Sequence, residues 1–225
     1  MKIKSNSGFT LAEILITLGI IGVVAALAIP SLLQNSYERT TVSRLRETQA
    51  VLSAAMRMAE EEYGDVEGWN IDNNAESGEK IGEYIKNFLK IAVDCGLDDS
   101  SAKCVGETYY YLNGKQMSVD YKSSSENRYK ILLNNGTSII LLPRSVKNSA
   151  INNRYIQINI DTTGPHLPNT VGKDLFLFDY GENSLRAMGA PDSTYPYEES
   201  CIDRSANGSG CAYYVLNFQN MNYLH

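Results

Sequence analysis

From Ile14 to Tyr37 the chain carries no charged side chain, and Ile14 to Ile29 is almost entirely apolar. A helix crossing hydrocarbon needs roughly 20 mainly apolar residues. The stretch ILITLGIIGVVAALAIPSLL supplies them, with Gly19, Gly22 and an Ala cluster at the small-residue frequency membrane helices tolerate. Behind it, Val42, Leu45, Gln49, Leu52, Met56, Ala59 and Tyr63 recur at alternating steps of three and four, with Arg44, Arg46, Glu47 and Arg57 largely off that stripe. This spacing predicts an amphipathic helix packed on its own domain. A break follows at Tyr63-Gly64 and DVEGWNIDNNAESG. Ile81, Tyr84, Ile85, Phe88, Leu89 and Ala92 then predict a short surface helix ending before Cys95-Gly96. Beyond Cys104 the period shortens, and TYYYL, MSVDY, RYKILL, TSIILL, YIQINID, DLFLF and SLRAM read as short strands between Gly, Pro and Asn-Gly punctuation. Asn113-Gly114 and Asn135-Gly136 are the expected hairpin turns. Helices first and an antiparallel sheet after them is the α+β order.

Composition adds scale and limits. The 225 residues, 43% hydrophobic and 20% charged, fit one modest domain plus an appendage. A net charge of −6 argues against a surface built to neutralise phosphates, so nucleic acid is not an expected partner. Lys and Arg do not gather around the tyrosine clusters Tyr109-Tyr110-Tyr111 and Tyr213-Tyr214, which read as core plus scattered surface. The four cysteines, Cys95, Cys104, Cys201 and Cys211, form two close pairs without the CxxC arms of a zinc site. A chain exported past a membrane reaches an oxidising compartment, which favours disulfides over free thiols. Three connectivities are open, and only the spacing favours Cys95 with Cys104 and Cys201 with Cys211. Each short loop would contribute roughly 2–3 kcal/mol in the chain-entropy model.

The N-terminus is more specific. A basic MKIKSNSG precedes Phe9-Thr10-Leu11-Ala12-Glu13 and the apolar run. A carboxylate at the head of a membrane helix costs on the order of 2–3 kcal/mol in hydrocarbon and calls for a partner. GFTLAEILITLGIIGVVAALAIP resembles the N-terminus of the type IV pilin and type II secretion pseudopilin family, whose precursors carry a basic leader, a Gly, then Phe-Thr-Leu-x-Glu and an apolar helix. The resemblance implies that a prepilin peptidase cuts between Gly8 and Phe9 and N-methylates the Phe9 amine. It implies that Glu13 pairs with the α-amine of a neighbouring subunit, setting the register of assembly, and that the helix kinks at Pro30. The competing sequence reading is an ordinary secretory signal cut at Ala26-Leu27-Ala28, which leaves Glu13 and the Gly8-Phe9 junction unexplained.

No GxSxG, HExxH, GxGxxG or P-loop pattern occurs, and the only histidines are His166 and His225, so no enzyme is expected. The stretch DTTGPHLPNTVGKD is rich in oxygen ligands, and some pseudopilins bind calcium in such a loop. Asp161, Asn169 and Asp174 are therefore a calcium candidate, although the spacing matches no EF-hand and no other cofactor is expected. The Cys201–Cys211 segment resembles the disulfide-bounded C-terminal region of pilins.

The expectation is an α+β, pilin-like chain. It comprises a leader over 1–8, a transmembrane and assembly helix over 9–36, an amphipathic continuation over 37–63 and a globular domain over 64–225. It would be a minor pilin or pseudopilin of a type IV pilus or type II secretion filament, inserted singly in the bacterial inner membrane with its domain outside the cytoplasm, then built into a periplasmic or cell-surface filament. Its expected partners are the peptidase, other subunits through the helix, the membrane, and an exported protein or surface ligand. The alternative from another class is a membrane-anchored or secreted binding module that never polymerises.

Overall fold

The computed structural model describes residues 10–147, 152–193, 195–203 and 205–225. A single helix, α1, runs from Leu11 to Tyr63. The chain divides into two compact units with the boundary inside this helix, between Thr40 and Thr41.

In the first unit α1 is apolar all round. Leu15, Ile16, Leu18, Ile20, Ile21, Val23 and Val24 are each more than half exposed. Pro30 lies inside the helix, which is helical on both sides of it. A proline nitrogen cannot donate to the carbonyl four residues back. The nearby Ser31 hydroxyl donates to the Ala28 carbonyl at 3.0 Å.

In the second unit the buried face of α1 is Thr41, Val42, Leu45, Thr48, Leu52, Ala55, Met56 and Ala59. Thr48, not Gln49, turns inward, and Tyr63 is exposed. Helix α2 spans Ala75–Lys86, starting where the Asn74 side chain accepts the Ser77 N–H. Its Gly78 and Gly82, four residues apart, share one face. A Cβ on Gly82 would lie 2.3–2.4 Å from the Tyr129 ring, and one on Gly78 2.5 Å from the Asn127 carbonyl oxygen. The helix thus sits closer to its neighbours than any larger residue allows.

Six strands form one antiparallel sheet in sequence order: β1 (Ile91–Gly96), β2 (Tyr129–Leu133), β3 (Ser138–Lys147), β4 (Asn152–Asp161), β5 (Leu175–Gly181) and β6 (Ser184–Ala187). The expected second helix is corrected here. It begins and ends earlier, and Ile91, Ala92 and Val93 belong to β1, paired with Leu133 and Leu132 of β2. The expected strands TYYYL and MSVDY are corrected too. TYYYL makes only isolated bridges, Tyr110 with Gln116 and with Thr170, and MSVDY makes none. Asn135-Gly136 closes the β2–β3 hairpin, with the Gly136 N–H on the Leu133 carbonyl at 3.0 Å. Asn113-Gly114 closes a turn outside the sheet, where the Tyr111 N–H reaches the Lys115 carbonyl at 2.8 Å.

The two faces of the sheet follow the period-2 rule. Ile139 and Leu141, Ile156, Ile158 and Ile160, and Phe176, Phe178 and Tyr180 point to the core shared with α1 and α2. Ile140, Leu175 and Leu177 point the other way, to a second cluster with Cys104, Val105, Tyr109, Tyr121 and Val171. The segment after β1 is therefore a covering layer rather than more sheet. Polar fixtures replace strand pairing in it. The buried Asp99 carboxylate accepts the N–H groups of Lys103, Cys104 and Val105 at 2.8–2.9 Å. The Lys130 ammonium, fully buried on β2, donates to the carbonyls of Leu97, Lys122 and Ser123. A third helix, α3 (Cys211–Phe218), follows a π-helical turn at Glu198–Ile202.

Candidate functional site

Three places carry the chemistry the sequence points to. The first is the start of α1. The Glu13 N–H donates to Thr10 Oγ1 at 3.2 Å, while the Thr10 N–H and hydroxyl each donate to Glu13 Oε2 at 2.8 Å. Thr-Leu-Ala-Glu is thus a reciprocal capping box, satisfying two N–H groups that a helix start leaves orphaned. It also gives the carboxylate two donors from its own chain. Behind it, α1 holds an 18-residue window of mean hydropathy 2.5, none of it buried, long and apolar enough to cross a membrane. Gly8 and Phe9 lie outside the described residues.

The second place is the pair of disulfides. Cys95 is bonded to Cys104 and Cys201 to Cys211, and no cysteine is free. The first bond ties β1 to the covering layer. The second ties the π-helical turn to the first residue of α3. Around α3, Tyr197 contacts Tyr213, Tyr214 and Phe218 at ring-centroid distances of 5.6–5.9 Å, and Phe218 is half exposed.

The third is the connection from β4 to β5. The structure brings Asp161 and Asp174 together, both fully buried, across the hydroxyl of Thr163. Asn169 joins them through its backbone, the N–H donating to Asp174 Oδ2 at 2.7 Å. Its side chain is buried with Oδ1 unpartnered among the described residues. Tyr109 donates its hydroxyl to Asp161 Oδ2 at 2.6 Å and accepts the Gly106 N–H at 3.1 Å. Burial, and then the neighbouring Asp174 charge, push the Asp161 carboxyl up to about 8, and burial also raises Asp174. Sequence reasoning missed Thr163 and Tyr109 here. The Asp-Thr-Thr step was visible, but nothing local announced that a tyrosine 52 residues earlier would reach it.

Residues 31–212 match the family model described as a family of unknown function (DUF6613). Residues 3–29 match the prokaryotic N-terminal methylation motif, the signature of type IV pilin and pseudopilin precursors. Neither the curated proteins nor the solved structures contain a match.

Proposed function

We propose that this chain, which belongs to the DUF6613 family of unknown function, is a structural subunit of a type IV pilus or type II secretion filament. The observation that carries the reading is the junction at residue 13. A capped carboxylate stands at the head of a span with no charged side chain until Glu38, and that span buries nothing within its own window. A soluble domain gains nothing from such a helix. A membrane, and then a bundle of like helices, covers it.

In this reading the leader stays on the cytoplasmic side and the peptidase cuts between Gly8 and Phe9. The new Phe9 amine is N-methylated and cationic. Glu13 of one subunit then meets the Phe9 amine of another, so that two charges that are each costly in low dielectric neutralise one another. Pro30 interrupts the hydrogen-bond ladder of the span where packing against other helices asks for a bend. The domain over 64–225 is large beside the helix, which favours a minor pilin or pseudopilin over the most abundant subunit. Its work is mechanical, and none of its residues is assigned a catalytic role.

The test is the intact mass and N-terminal residue of the protein purified from its own membranes. N-methylated Phe9 is the expected start. An intact Met1, or a start at Ile29, overturns the reading in favour of an anchored or secreted module.

A further inference from the structure

The acidic pair between β4 and β5 does not fit the calcium the sequence led us to expect. Calcium takes six to eight oxygen ligands whose lone pairs face the ion. Here each of the four carboxylate oxygens already accepts a hydrogen from the chain. Asp161 Oδ1 accepts the Thr163 N–H at 3.0 Å and Oδ2 the Tyr109 hydroxyl at 2.6 Å. Asp174 Oδ1 accepts the Thr170 N–H at 2.6 Å and Oδ2 the Asn169 N–H at 2.7 Å. The Asn169 side chain makes no hydrogen bond to either carboxylate, and its Oδ1 has no partner among the described residues. It is wedged instead at Gly106, where a Cβ would lie 2.2–2.6 Å from its atoms.

The hydrogen count shows what holds the pair. Thr163 Oγ1 lies 3.2 Å from Asp161 Oδ1, 2.8 Å from Asp174 Oδ2 and 2.9 Å from the His166 carbonyl oxygen. A hydroxyl has one hydrogen, so it can donate to one of these three oxygens. With both acids ionised, the other two contacts set lone pair against lone pair, beside two negative charges in a dry site. One added proton resolves the contact between the two acids and leaves only the His166 carbonyl contact without a hydrogen. Asp161 Oδ1–H donates to Thr163 Oγ1, and the Thr163 hydroxyl donates to Asp174 Oδ2. Asp174, with two backbone N–H donors, remains the carboxylate.

We propose that the β4–β5 connection is clasped by one proton shared across Asp161, Thr163 and Asp174, in place of a divalent cation. The groups around the clasp are consistent with this. Tyr109 and Tyr121 face it from the covering layer, with Arg128 stacked over Tyr121 at 5.1 Å. From β3 comes Ser138, whose hydroxyl is committed to the Cys104 carbonyl. Arg44 of α1 reaches the Thr162 carbonyl at 3.0 Å, so its hydrogen bond goes to the backbone beside the pair. His166 contributes its carbonyl, and Lys173 adjoins Asp174 in sequence. The clasp is independent of filament assembly, and so is its test.

The test uses the full chain in detergent near neutral pH. Its infrared spectrum is expected to hold the C=O band of a protonated carboxyl, lost in Asp161→Asn or Asp174→Asn. Its thermal midpoint is expected to move by less than about 2 °C between millimolar calcium chloride and a chelator, where a bound ion would add several degrees. No protonated-carboxyl band in the folded wild-type chain overturns the proposal. So does a band that survives both substitutions, or a midpoint that calcium raises beyond that margin.

Discussion

Reducing the two disulfides is expected to remove a large part of the domain's stability. They close loops with sequence separations of 9 and 10. The chain-entropy relation gives about 2.6 kcal/mol for the first and about 2.7 kcal/mol for the second at 25 °C. The bonds lie in different clusters, Cys104 in the covering layer and Cys201 and Cys211 in the helix-side core, so their effects should add. Together they amount to about 5 kcal/mol, against total stabilities of about 5–15 kcal/mol for ordinary domains. At about 2–4 °C per kcal/mol for a chain of this size, full reduction lowers the melting midpoint by about 10–20 °C. Each pairwise Cys→Ala variant lowers it by about half of that. The assay is thermal unfolding of the full chain in detergent, followed by circular dichroism with and without reductant, with thiol alkylation to confirm that both bonds opened. A fully alkylated chain that melts within about 3 °C of the oxidised one refutes the reasoning. So does one pair carrying the whole effect.

Gly82→Ala sets helix propensity against packing. The alanine gains about 1 kcal/mol in α2, but its Cβ would lie 2.3 Å from the Tyr129 ring, and overpacking costs about 1–3 kcal/mol or more. We expect a net loss of midpoint, and a more stable variant would show that α2 does not approach the sheet so closely. The raised Asp161 carboxyl makes stability depend on pH. A folded-state value above the unfolded one contributes stability that is full in acid and is lost as pH rises through about 8. Midpoints measured across that range should fall more steeply for wild type than for Asp161→Asn, and parallel slopes would contradict the assignment. Glu13→Ala is expected to leave membrane insertion intact while abolishing entry into filaments, scored by recovery of the variant in sheared filament fractions. Normal recovery would remove Glu13 from assembly.

The elements legible in the sequence were those whose periodicity was set by one dominant surface. The stripe from Val42 to Ala59 meets one apolar cluster, and so does each face of the strands from Tyr129 to Ala187, so their spacing carried through to the structure. The misread elements answer to two surfaces at once. Phe88, Leu89 and Ile91 pack on the same core as α2 and so extend its apparent stripe, yet the backbone leaves the helix at Asn87 and pairs with β2. TYYYL has the composition of a strand, but Tyr109 points into the covering cluster while Tyr110 is exposed. Asp99 and Lys130 take up backbone groups there that a strand would have paired. At the β4–β5 connection the acidic residues were visible, whereas their donors were not, because Tyr109 comes from a layer that only the folded sheet brings near.

The capping box at Thr10 bears on the order of events at the membrane. On the proposed reading, residue 9 carries no α-amine until the leader is cut. Thr10 then supplies the only donors to Glu13 among the described residues, two hydrogen bonds made within one turn. Hydrogen bonds to a charged group are stronger than neutral ones, so the two from Thr10 lower the cost of the carboxylate while the helix stands alone. A cationic amine from a second subunit adds a charge-to-charge attraction that no neutral donor offers, and in low dielectric that term is the larger one. On the proposed reading, a precursor that keeps its leader therefore has a satisfied Glu13 and nothing to exchange it for. Cleavage creates the competing partner. Assembly then follows processing because of what Glu13 can pair with, without any change in the domain.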